Sequence, residues 1–109
     1  MAVALRFLKK PEELIWAAGA FGGGLNNRDL CGFLTAGEMV IGIYSGDLKL
    51  ERKAAKEICG RKAREFWQWW ISTAPLHCAE IREGRTDLKV CLRLGKLSAA
   101  KLEELIRPA

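Results

Sequence analysis

The sequence predicts an all-α domain, a compact bundle of about five helices with one long aromatic-rich member, and three observations carry that expectation. Apolar residues recur every three or four positions in the main segments. No stretch alternates apolar and polar residues for long enough to make a strand. Glycines and prolines punctuate the chain between the periodic segments. At 109 residues, 1–109 form one domain with a single core, and no repeat of solenoid length is present.

Taken in order, Pro11-Glu12-Glu13 opens the first helix. Proline is tolerated in a first turn and acids suit the positive end of the dipole, while Leu14, Ile15 and Ala18 supply an apolar face. Gly19 and the run Gly22-Gly23-Gly24 end it. From about Asn27 to Tyr44, the residues Leu30, Phe33, Leu34, Gly37, Val40, Ile41 and Tyr44 make one helical stripe, with Asn26 or Asn27 as cap and Ser45-Gly46 as close. Gly32, Ala36 and Gly37 lie inside this helix, and each glycine costs about 1 kcal/mol of propensity relative to alanine. Small residues there predict a close approach by another backbone or a cofactor.

Asp47 precedes the longest helix, Leu50 to about Ile71, where Ala55, Ile58, Cys59, Lys62, Phe66, Trp69 and Trp70 recur at helical spacing. Its end, Phe66-Trp67-Gln68-Trp69-Trp70, holds too many large rings for all to face one core. Trp67, Trp69 and Trp70 are therefore candidates for core anchors and for a subunit interface. Thr73-Ala74-Pro75 breaks the helix. Two short segments follow, His77 to about Glu83 stopping at Gly84, and about Asp87 to Leu94 stopping at Gly95. The last helix starts with Ser98 as cap, has Leu97 and Leu102 at staple positions, runs to Arg107 and ends at Pro108.

Composition excludes several classes. Half the residues are apolar and 28% are charged, a globular balance rather than a disordered one. No stretch reaches the roughly 20 apolar residues of a membrane span, and the N-terminal charges follow the apolar residues, the reverse of a secretory signal. A cytoplasmic location is the expectation, and in a reducing compartment the four cysteines are expected as free, metal-bound or redox-active thiols. The net charge of +5 resides in the C-terminal half: residues 49–109 hold fourteen basic and eight acidic side chains, against four and five in residues 1–48. Glu51, Glu57, Glu65, Glu80, Glu83, Glu103 and Glu104 interleave with the bases as on solvated helix faces, which argues against nucleic acid as a partner.

The sole histidine, His77, rules out a multi-histidine metal site, and no serine or aspartate arrangement suggests a hydrolase triad. The glycine run follows a helix where a dinucleotide fingerprint requires a strand. The cysteines remain, none of them in a C-x-x-C pair. Cys59, between Ile58 and Gly60 in mid-helix, reads as a small buried hydrophobe. Cys31, Cys78 and Cys91 each lie near a break in the helical pattern, where unpaired backbone donors support anionic sulfur; at Cys31 the helix start is expected to favour the thiolate.

Ala20-Phe21-Gly22-Gly23-Gly24, then Cys31-Gly32-Phe33-Leu34-Thr35-Ala36-Gly37, then Cys78 and Cys91 resemble, in that order, the C_GCAxxG_C_C family of redox-active proteins. The resemblance covers about residues 16–106. It implies an all-α fold and a cysteine-based redox role or an iron-sulfur cluster or other thiophilic metal, with Cys31, Cys78 and Cys91 as site residues and Gly22, Gly23, Gly24 and Gly32 as the glycine loop. The family's first cysteine has no counterpart in the sequence as it starts at Met1, so a four-cysteine site lacks one ligand; Cys59, His77 or a partner chain would supply the fourth. Phe33 stands where the family has a small residue.

Two functional expectations follow. In the first, Cys31, Cys78 and Cys91 converge on one redox or metal site served by an electron-transfer partner. In the second, the chain is a non-catalytic helical interaction module with packed cysteines that assembles as a homodimer, an apolar face being left uncovered.

Overall fold

The computed structural model describes residues 1–84 and 88–106. Helices α1 (Ala2–Phe7), α2 (Gly32–Asp47), α3 (Arg52–Thr73), α4 (Cys78–Ile81) and α5 (Lys89–Ile106) account for most of it, with a tighter helical stretch at Glu12–Ala18 and an irregular turn at Gly24–Arg28. Among the described residues there is no strand, only one antiparallel bridge between Leu30 and His77. The all-α expectation is met. The expected start of a segment at Asp87 and the end at Arg107 and Pro108 lie outside the described residues.

The core is the seam where α2 packs on α3 and α5, with α1 closing one end against α5. Leu34, Val40 and Ile41 of α2, Phe66 and Trp70 of α3 and Ile106 of α5 are fully buried with Leu5 of α1. Gly37 is small for a reason visible in this seam: a β-carbon there would fall inside the envelope of the Phe66 ring. The close approach expected of the small residues of α2 is made at Gly37 by an aromatic ring and at Gly32 by the Phe21 backbone. Trp70 belongs to the core, with its Nε1 donating to the Pro75 carbonyl at 2.9 Å, whereas Trp69 stacks on Phe66 at 5.6 Å and Trp67 is 38% exposed. Lys62, counted in the apolar stripe of α3, carries its stem inward and donates from Nζ to the Leu105 carbonyl at 2.6 Å, beside the Tyr44 ring.

Several boundaries differ from the sequence reading. A first helix, Ala2–Phe7, precedes Pro11, because Ala4, Leu5 and Leu8 share one buried face. The stretch Glu12–Ala18 coils more tightly than an α-helix and buries no residue, so Leu14 and Ile15 remain exposed. Helix α2 begins after Cys31, not at Asn27, since the preceding residues take left-handed conformations that no α-helix admits. The last two segments are one helix: α5 runs through Gly95, where the Phe33 ring takes the place of a side chain, and Ser98 lies buried in mid-helix, its hydroxyl donating to the Gly95 carbonyl at 3.0 Å.

Candidate functional site

The glycine run builds one wall of the site. Gly23, Gly24, Leu25 and Asn26 adopt four successive left-handed conformations (φ 63, 63, 61 and 60°), and Arg28 follows at φ 57°. Leu25 and Arg28 hold a backbone state that costs an L-residue about 1–2 kcal/mol, and such strain gathers at functional sites. The Asn26 and Asn27 side chains steady the turn by donating to the carbonyls of Ala20 (3.3 Å) and Leu25 (2.8 Å). Gly24 has no alternative: a β-carbon there would stand 2.5 Å from the backbone N and O of Asp29 and 2.7 Å from Cβ of Cys78. Gly32 is equally constrained, since its β-carbon would lie 2.6 Å from the Phe21 carbonyl oxygen.

The turn delivers the chain into the Leu30–His77 bridge. Cys31 N–H donates to the Leu76 carbonyl at 2.9 Å and Cys78 N–H donates to the Asp29 carbonyl at 2.7 Å. These two main-chain bonds make Cys31 and Cys78 diagonal neighbours, each one residue beyond the opposed pair and at opposite ends of the bridge. Both also stand at helix starts, Cys31 as the residue capping α2 and Cys78 as the first residue of α4. Cys91 arrives from α5, as its third residue.

All three cysteines line one cavity of about 640 Å³. Gly22, Gly23, Gly24 and Gly32 line it too, with Phe21, Phe33 and Leu88 as apolar wall and Trp16, 82% exposed, at the rim. Cys31 and Cys78 are buried, and Cys91 is partly accessible. All four thiols of the chain are free.

Electrostatics at Cys31 differ from the sequence expectation. Burial pushes its thiol pKa up, and the thiols of Cys91 and Cys78 add smaller increments in the same direction. The backbone N–H groups of Phe33 and Leu34, at the start of α2, pull the other way as expected of a helix terminus, but desolvation outweighs them. Cys31 is thus held as a protonated thiol near neutral pH, not as a thiolate. Cys91 and Cys78 therefore each lie within electrostatic reach of Cys31.

The two fourth-ligand candidates are elsewhere. Cys59 lies on α3, half-buried against the core and absent from the cavity wall. The His77 ring is engaged on both nitrogens, Nε2 3.3 Å from Asp29 Oδ1 and Nδ1 3.3 Å from Glu80 Oε1. Among the described residues no group of three or more His, Cys, Asp or Glu side chains is arranged to hold a metal ion. As placed, the three thiols share a cavity without closing on a common point, so the described residues alone do not make an iron-sulfur site.

Sequence reasoning missed Arg82, which lines the same cavity. It lies four residues after Cys78, hence on the same side of the short α4 turn, a relation that was readable from the spacing. Also missed was Glu38 of α2, whose Oε1 is buried without a hydrogen-bond partner and whose carboxyl burial pushes up to about 7.

A family model described as "Putative redox-active protein (C_GCAxxG_C_C)" matches residues 1–105. No curated protein and no solved structure matches the chain. No described helix is long and apolar enough to cross a membrane.

Proposed function

The chain belongs to the C_GCAxxG_C_C family, whose name assigns it a redox role, and from that premise we propose that the cavity carries a dithiol–disulfide couple built from Cys31, Cys78 and Cys91. One observation supports this above the others: three free cysteines from three separate segments line a single cavity, whereas the fourth, Cys59, does not. Cys91 is the entry thiol, since it alone of the three is partly accessible. Its thiolate attacks a small disulfide, forming a mixed disulfide and releasing one thiolate. A second cavity thiol, Cys31 or Cys78, then gives up its proton and displaces the other half as a thiolate. Two protein thiols become one disulfide, and the two electrons reduce the incoming disulfide to two thiols.

Equilibration in glutathione buffers of graded ratio, followed by acid quench, alkylation and peptide mass spectrometry, tests this reading. The expected result is a two-electron transition confined to Cys31, Cys78 and Cys91, with Cys59 alkylated throughout. Oxidation limited to Cys59, or no disulfide within the cavity set at any ratio, would overturn it.

Self-association is a second reading, favoured by exposed apolar side chains at and next to the cavity wall. Trp16 (82%) and Leu88 (54%) both line the cavity, and Leu92 (63%) follows Leu88 one turn along α5. A homodimer covering this patch would shield the entry thiol. Sedimentation equilibrium should then show a dimer that Trp16→Glu dissociates; a monomer at all concentrations refutes it.

A further inference from the structure

Among the described residues Arg82 is the one charged side chain in a wall otherwise made of apolar groups, glycines, thiols and the Met1 end of the chain. Its Nε is shut off from solvent and has no hydrogen-bond partner among the described residues. Nε itself is closed to any ligand, so an anion would dock on the outer Nη donors of the guanidinium, which are not shut off in this way. No carboxylate of the described residues takes that place: Asp29 and Glu80, the acids nearest in the chain to the bridge, are engaged with His77.

We infer that the cavity binds a small organic carboxylate, its anionic group on Arg82 and its apolar body against Phe21, Phe33 and Leu88 beneath the Trp16 rim. The volume of about 640 Å³ is that of a small-molecule site. Arginine suits a carboxylate, because its planar fork presents parallel donors to both oxygens. Arg82 follows Cys78 by four residues and lines the same cavity, so a ligand held on it shares that cavity with the thiols. This inference rests on the dithiol reading for the meaning of the site, but its test separates the two.

The test compares two aromatic disulfide probes on folded protein in a Cys59→Ser background: dithiobis(nitrobenzoate), which carries two carboxylates, and dithiodipyridine, which is neutral. The readout is the ratio of their second-order rate constants at the cavity cysteines. Arg82→Gln should lower that ratio about tenfold, and Arg82→Lys should largely preserve it. Unreactive nitrobenzoate should slow modification of the wild-type cavity by dithiodipyridine, and nitrobenzene at the same concentration should not, a comparison that needs no Arg82 variant. An unchanged ratio in folded Arg82→Gln, or equal protection by the charged and uncharged blockers, overturns the inference and leaves the dithiol reading standing. If neither probe modifies Cys31, Cys78 or Cys91 in the folded protein, both fall.

Discussion

Replacing Glu38 by glutamine should remove a pH dependence of stability that the wild-type protein carries. Glu38 sits on α2 beside the buried Gly37, with its Oε1 shielded and unpartnered, and its carboxyl is pushed from 4.5 up to about 7 by burial. The folded state therefore holds the proton more tightly than the unfolded chain does. Below the unfolded value the group costs nothing; as pH rises from about 4.5 through 7, the unfolded state ionises first and folding is penalised progressively. A shift of that size corresponds to about 3.5 kcal/mol at roughly 1.4 kcal/mol per pH unit, and water reaching a half-buried side chain trims it to about 2 kcal/mol. For a domain near 100 residues this is roughly 10 °C in Tm. Urea unfolding from pH 4.5 to 8.5 on both proteins measures it. Glu38→Gln should match the wild type at the acid end and exceed it by about 2 kcal/mol above pH 8. Parallel stability curves for the two proteins across this range would refute the reasoning, because all other titrating groups are common to both.

Other substitutions probe the packing that positions the site. Gly24→Ala should cost about 2–4 kcal/mol in urea unfolding, from a left-handed φ and the collision with Asp29 and Cys78, while Gly22→Ala, with open space around it, should change stability by less than about 0.5 kcal/mol. Gly37→Ala should lose about 1–3 kcal/mol by driving into the Phe66 ring, whereas Gly42→Ala on the same helix faces nothing within 4 Å and should gain about 0.5–1 kcal/mol. Trp70→Phe should cost about 2–3 kcal/mol, since it shrinks a fully buried side chain and leaves the Pro75 carbonyl without its donor; thermal unfolding by circular dichroism would register the loss.

What was legible in the sequence followed from helical periodicity. The stripe Leu34, Gly37, Val40, Ile41 is the buried face of α2, and Phe66 and Trp70 are the anchors of α3. Punctuation misled where a small residue served packing: Gly95 reads as a helix stop, yet it is the seat of the Phe33 ring, and the helix continues through it. Asn26 and Asn27 read as caps because asparagine favours helix starts, but the same side chains also tolerate left-handed turns, and here the turn prevails. At the site, the order of Cys31, Cys78 and Cys91 and their separation from Cys59 could be read in advance. The state of the Cys31 thiol could not, because the balance between helix-end donors and desolvation depends on how deeply the cap residue is covered. Arg82 escaped notice because a lone arginine in a basic half looks like solvated surface until its surroundings are known.

The bridge between Leu30 and His77 gives the three sulfurs unequal freedom. Cys31 and Cys78 are tied through main-chain bonds on either side of it, so their spacing is set by peptide geometry and is indifferent to the side chains around them. Cys91 rides on α5, which is held through side chains, the Lys62 bond to the Leu105 carbonyl among them. The trio thus works like a caliper with one fixed jaw: a slide or roll of α5 changes the gap to Cys91 and leaves the other gap untouched. A movement of that helix would therefore shift one member of the set and leave the anchored pair in place.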